Sequence, residues 1–316
     1  MIRFLVKRTG QALVVLLLVS AIVFLLLHQL PGGPARAILG PTATPEAIAH
    51  FNHLQGYDRP LPVQYGMFLK RLVAGDLGES YKLNQPVFTL LAERLPKTLL
   101  LTALSVALAA LLAIPLGIVQ AVRRGRASDY VLTGAAFLAY ATPVFFLGLV
   151  LILVFSQQWP LFPAEAPQAD SVGGILKEPG GLVLPVVTMA LGIIAMFSRY
   201  MRSAVLDNLG EDYVRTARSK GQSQARVMAR HVLRNALIPL ASLLGLYLPT
   251  LFSGALVVES MFNYPGMGLL FWNAAQSNDF PVLLGVTLVV GVATVLGSLL
   301  TDIAYAVLDP RIRSVS

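Results

Sequence analysis

The stretch EDYVRTARSKGQSQARVMARHVLRN, residues 211–235, is densely charged, although only 13% of the 316 residues are charged and 56% are hydrophobic. The mean hydropathy of the whole chain is +0.70. A chain this apolar exceeds what a water-facing domain can hide in its interior, so its solvent is a bilayer. Segment 211–235 is therefore a wet interruption between membrane spans, and the intervals on either side of it set the architecture.

A membrane helix needs roughly 20 mostly apolar residues. Six intervals carry no Asp, Glu, Lys or Arg: Thr9–Ala35, Thr98–Val122, Tyr130–Ala164, Pro179–Ser198, Asn235–Val258 and Phe280–Thr301. Each is long enough to span, which predicts an all-α membrane protein of six transmembrane helices. The third interval is too long to be all helix, and its span is expected to end near Phe155, before SQQWP. The first resembles a signal peptide with ARA at 35–37 as a cleavage site. Its apolar core, Ala12–Leu27, nevertheless overshoots the usual length of about 7–15 residues, so it is read as a retained span.

Basic residues orient the chain. Sixteen of the 24 Lys and Arg fall at the N-terminus (Arg3, Lys7, Arg8), at Arg123, Arg124 and Arg126, between Arg199 and Arg234, and at Arg311 and Arg313. The positive-inside rule then puts both termini and the 199–236 loop in the cytoplasm. This divides the chain into an N-terminus with the first span (1–30), an extracytoplasmic segment (31–97) and a five-helix core (98–316). PGGP, GPTATP and DRPLP break the 31–97 segment into a small cap of short helices and turns, and NQPVFTLLAERLPKTLLL feeds the second span.

Catalytic constellations are sparse. There is no cysteine, which excludes disulfides and thiolate metal sites. His50 and His53 share a helical face but lack partners for zinc. No nucleophile elbow, HExxH pair or phosphate loop occurs, so neither a hydrolase nor an NTPase is written here. Asp302, about two turns from the cytoplasmic edge, is a weak basis for an ion relay. Ser105, Ala109, Ala113 and Gly117 form a small-residue ridge suited to close helix packing in lipid. Prolines 115, 143, 185, 239 and 249 invite kinks in or beside the spans.

The loop reads as helix, glycine turn, helix. Glu211 and Arg215 form an acid-before-base i,i+4 pair, Gly221 stops the first helix, and Ser223 caps a second that runs until Pro239 disturbs it. On the first helix Tyr213, Val214 and Ala217 share one face, with Arg215, Arg218 and Ser219 opposite. So short a helix is marginal alone in water, so it is expected to dock against something. Arg226, Arg230 and Arg234 suit lipid phosphates at the membrane surface. A DNA-reading helix-turn-helix has no room between two spans, so no nucleic-acid partner is expected.

YVRTARSKGQSQARVMARHVLRNALIP resembles the signature loop of ABC importer permeases of the dipeptide/oligopeptide/nickel family. The likeness extends over the chain through MIRFLVKRTGQALVVLLLVSAIVFLLLHQLPGGP, AGDLGESY, RLPKTLLLT, VVESMFNYPGMGLL and TDIAYAVLDPRIR. The family's loop begins Glu-Ala-Ala; here Arg215, Thr216 and Ala217 stand in that triplet, and Gly221 keeps the glycine. The resemblance implies a type I ABC importer permease fold with an ATPase-coupling helix carried by Tyr213, Val214, Arg215, Thr216, Ala217, Lys220 and Gly221, its apolar face filling a groove in the partner. It further implies a multi-pass inner-membrane subunit of a prokaryote, without catalytic or metal residues. The partners would be a homologous permease in a heterodimer, two cytoplasmic ABC ATPases holding ATP and Mg, and an extracytoplasmic solute-binding protein. Cargo would be di- or oligopeptides, with nickel or glutathione as alternatives. A different class, an ion-coupled secondary transporter acting without an ATPase, remains open at this point. On the permease reading, Ala217→Glu or Gly221→Pro leaves membrane insertion intact and uncouples ATP hydrolysis from uptake in reconstituted vesicles.

Overall fold

The computed structural model describes residues 2–29, 33–40 and 42–308; within its helices the side chains of 2–7, 27, 34, 37–38, 241–242, 244–254 and 300–308 fall outside that description. The Asp302 side chain lies there, and Arg311 and Arg313 lie outside the described residues altogether. Among the described residues the regular elements are helices, and the isolated β-bridge is between Glu79 and Pro86.

Four segments are long and apolar enough to cross a membrane: Arg8–Leu26 in α1 (Ile2–His28), α5 (Val87–Val122), α9 (Gly180–Leu209) and Phe280–Leu299 in α14 (Phe280–Leu308). The second span starts well before Thr98: α5 absorbs the end of the 31–97 segment into one 36-residue helix, with Pro96 and Pro115 on its exposed faces. The third expected span is not one helix. Its chain forms α6 (Ala127–Ala141) and α7 (Val144–Ile152), the latter continued by a π-helical turn (Leu153–Gln158), and the two arms are bent by 104°. Pro143 is the cause. A residue before proline is driven from the helical region, and Thr142 is extended at φ −83° and ψ 128°. The fifth expected span falls on α12 (Leu233–Met261), where most side chains from 241 to 254 are outside the described residues.

The chain divides into two compact units, Met1–Lys97 with Gly266–Leu299, and Thr98–Pro265 with Leu300–Ser316. The first holds three short helices, α2 (Gly33–Leu39), α3 (Pro45–Gln55) and α4 (Leu61–Val73). Thr44 caps α3 by accepting the Ala47 amide at 3.3 Å, and Gly56 ends it at φ +71°. Tyr65 of α4 donates to the Leu17 carbonyl at 3.1 Å and shares a 2.8 Å hydrogen bond with Ser20, while His28 meets Gln64 Oε1 at 2.7 Å. These bonds fasten α4 to α1. A later helix, Met267–Ser277, ends at left-handed Asn278, which delivers buried Asp279. The Asp279 carboxylate accepts the Ser80 hydroxyl and the amides of Tyr81 (3.4 Å) and Lys82 (3.3 Å), so one side chain holds a whole turn.

In the second unit α9 is deeply buried, with 61% of its apolar window enclosed. Ala109 and Ala113 of the small-residue ridge are fully buried within its principal apolar cluster, beside Ile193 and Phe197 of α9. At Gly117 a Cβ atom would sit 2.6 Å from Met201 Cβ and 2.8 Å from the Ser198 carbonyl. Gly148 is likewise pressed on Met261 and Thr188, where a Cβ would come within 2.5 Å. Near the N-terminus of α6, Asp129 receives both arms of Arg202 at 2.9 and 2.8 Å and also the Gly125 amide at 3.1 Å. The buried Glu259 carboxylate accepts the Thr98 hydroxyl at 2.6 Å.

Because backbone as well as side chain obstructs the site, Gly117→Ala is expected to destabilise the protein by about 1–3 kcal/mol. Gly134→Ala, with open space around it, should be neutral or slightly stabilising through helix propensity. Thermal unfolding of the two variants in detergent checks the contrast.

Candidate functional site

The hydrophilic loop begins where α9 ends. Its first helix, α10 (Asp212–Ser219), follows the extended Glu211, and its carbonyl end is closed through Lys220 and Gly221, the latter at φ +75°. That backbone angle is what requires glycine here and what proline cannot adopt. Inside the helix the Thr216 hydroxyl donates to the Asp212 carbonyl at 2.9 Å and the Ser219 hydroxyl to that of Arg215 at 2.8 Å. The expected Glu211–Arg215 pair does not form. Arg215 instead lies 3.6 Å from Asp212, one turn back, with both side chains largely in solvent. Such a pair contributes little.

The two faces of α10 divide as the helical period dictates. Val214 is fully buried and Ala217 nearly so, while Arg215, Thr216, Arg218, Ser219, Lys220 and Gly221 are exposed and Tyr213 is half-buried. The destination of the apolar face overturns one expectation. Val214 and Ala217 pack in a cluster with Ala121 of α5, Met201, Ala204 and Val205 of α9, and Val227, Val232, Ala236 and Leu240 further along the chain. They are filled by their own chain and offer no apolar surface to a partner's groove. The physical reason is that a two-turn helix cannot hold itself in water, and burying its apolar stripe locally supplies the missing stability.

Polar contacts complete the mount. Tyr213 donates its hydroxyl to Asn208 Oδ1, and Asn208 Nδ2 donates to the Ala204 carbonyl at 2.8 Å, linking α10 to the last turn of α9. His231 Nε2 donates to Gln222 Oε1 at 3.1 Å, across the turn after Gly221. Asn208 and Gln222 were invisible to sequence reasoning, since neither residue type nor spacing marks a brace between neighbouring turns.

The second helix of the loop does not end at Pro239. Four residues, α11 (Gln224–Val227), pass into a π-helical segment (Met228–Val232) and directly into α12. Ser223 precedes α11 in extended conformation without a side-chain capping bond. The loop is therefore continuous with a long helix. Membrane helices tolerate proline because neighbouring groups satisfy the carbonyl it leaves free. Tyr213, Arg230, His231, Arg234, Asn235 and Ile238 line an open cleft of about 520 Å³ beside α10. Among the described residues no carboxylate lines it, so the cleft is cationic. No group of three metal-ligating side chains occurs among the described residues, although His53 meets Asp58 at 2.9 Å, a partner unforeseen in sequence.

This placement predicts a split between the faces. Val214→Ala should cost about 2 kcal/mol from lost methyl burial, and Ala217→Glu should cost more by burying a charge. With Ala217 buried in its own chain, the latter variant reports a folding defect and not the clean uncoupling expected from sequence. Arg215→Ala and Arg218→Ala should leave the unfolding midpoint within a degree or so of the parent. Thermal melts of the purified protein decide it.

Comparison with known proteins bears on what the loop serves. The family described as binding-protein-dependent transport system inner membrane component matches residues 113–314, and its N-terminal counterpart matches residues 1–102. A putative peptide permease protein of Brucella ovis is 39% identical over 320 aligned residues, covering 99% of each chain. An oligopeptide transport system permease protein of Bacillus subtilis is 37% identical over 314 residues, and a dipeptide transport system permease protein of Escherichia coli K12 is 32% identical over 336. Each of these alignments also covers 99% of both chains.

Proposed function

The chain belongs to the family of inner membrane components of binding-protein-dependent transport systems, and we propose that it forms one half of the pore of an ATP-driven importer for di- or oligopeptides. The peptide cargo is carried over from relatives named for peptide, oligopeptide and dipeptide transport along their full length. In this reading six spans cross the inner membrane with both termini in the cytoplasm, and the short helices between the first two spans lie outside. A homologous permease completes the pore. ATP and Mg reside in two cytoplasmic ATPase subunits, and a solute-binding protein delivers cargo from the opposite side.

One observation carries the coupling assignment: α10 is bolted inward through Val214 and Ala217 and turns Arg215, Thr216, Arg218 and Ser219 outward. A helix held by its own bundle transmits a push, whereas one held only by its partner would slip. Partner recognition is accordingly assigned to the polar face, with Lys220 and Gly221 at its end, and the buried pair serves as the mount. The ATPases would then move the spans between inward- and outward-facing states as packed bodies.

In proteoliposomes holding both permeases and both ATPases, Arg215→Glu with Arg218→Glu is expected to cut peptide uptake and binding-protein-stimulated ATP hydrolysis at least tenfold, with an unchanged melting temperature. Peptide uptake by this chain in liposomes without any ATPase would reject the assignment.

A further inference from the structure

In the first unit, α3, α4, the turn after α4 and the first turns of α14 enclose a cavity of about 350 Å³, at the small end of the range for small-molecule sites. It is two-sided. Leu284 and Leu288, one helical turn apart on α14, form an apolar floor with Phe51 and Phe68 beside them. In the polar lining Tyr57 lies close to both Arg71 and Tyr81, and Asp76 and Glu79 line the same cavity without forming an ion pair with Arg71.

Arg71 is the unusual member. It is half-buried, and its Nη1 donates to Gln55 Oε1 at 2.8 Å, a neutral acceptor. Among the described residues no carboxylate pairs with it. A guanidinium partly removed from water without a counter-ion is costly, and a planar carboxylate is its natural complement. Burial raises the pKa of the Tyr57 hydroxyl, with Arg71 opposing, and raises that of Tyr81, with Tyr57 and Asp279 adding to the effect. Both phenols therefore stay protonated and able to donate. Asp279, the other carboxylate near Tyr81, is already engaged by Ser80 and two amides. Asp76 uses one oxygen on the Gly78 amide at 3.0 Å, and Glu79 has no side-chain hydrogen bond among the described residues. One cation and two available carboxylates disfavour a simple anion. They suit a molecule carrying both charges.

We propose that this cavity binds the zwitterion of an apolar dipeptide, with its carboxylate on Arg71, its ammonium toward Asp76 and Glu79, and its side chains on Leu284 and Leu288. The inference stands on the cavity's own chemistry, so it and the import reading fail separately. The site shares no residue with the hydrophilic loop and needs no nucleotide.

The test is calorimetric titration of leucylleucine into nanodiscs carrying the full-length chain, with neither ATPase nor binding protein present. Saturable binding is expected, weakened about ten- to a hundredfold for the C-terminal amide and for the N-acetyl derivative, each of which removes one charge-assisted contact. Arg71→Gln should weaken leucylleucine to the same degree. Leu284→Trp, which fills the floor without altering charge, should abolish binding, and its melting temperature reports that it folds. If Arg71→Gln fails to fold, the ligand series and Leu284→Trp still decide. Absence of saturable binding, equal binding of the capped dipeptides, or undiminished binding by Leu284→Trp would overturn the proposal.

Discussion

Helices surrounded by hydrocarbon gain nothing by hiding apolar side chains from water, because the lipid tails are equally apolar. What holds them is direct contact, and contact is closest where a side chain is missing. In the second unit Gly117 brings α5 against Met201 and the Ser198 carbonyl, and Gly148 brings α7 against Met261 and Thr188. In the first unit, Gly285 of α14 lies where a Cβ would approach Val87 to 2.6 Å. The long helices are thus set by a few points at which backbone meets neighbour without a spacer. Polar groups add fixed bonds to this packing: Arg202 grips Asp129, and Thr98 grips Glu259. Neither pair would survive as a floating charge or hydroxyl in so apolar a setting.

The hydrophilic loop obeys a different rule because it faces water, where burial does count. Val214 and Ala217 enter a cluster fed by α5, α9 and the start of α12, and the Tyr213–Asn208 bond ties the same helix to the end of α9. Two short elements with little stability of their own thereby become extensions of long ones. The π-helical segment at Met228–Val232 serves this continuity, joining loop and span without a break in helical backbone.

Much of this was legible in the residues. The charge-free intervals located the apolar helices, Gly221 marked the end of α10, and the 3.6-residue period separated Val214 and Ala217 from Arg215 and Arg218. Direction was not legible, because a stripe of apolar residues records that something covers it and not what does. The break at Pro143 shows the same limit. Proline announces a disturbance, but 104° arises from Thr142 turning extended together with the packing of α7. Helix length was underread at α5, since charges at Glu93, Arg94 and Lys97 look like the edge of a span while the backbone runs on through them. The Asp279 clasp joins residues 199 apart in sequence to Ser80, a separation across which no local pattern speaks.

The inward mounting of α10 also bears on how such a protein can change. Positions facing the bundle answer to their own chain, and on the proposed coupling role those facing water would answer to the partner, so stability and recognition would be inherited through different residues of one eight-residue helix. Retargeting by surgery would then be economical: Arg215, Thr216, Arg218 and Ser219 could be transplanted as a patch onto a related scaffold. Moving the whole segment would drag Val214 and Ala217 into a foreign socket.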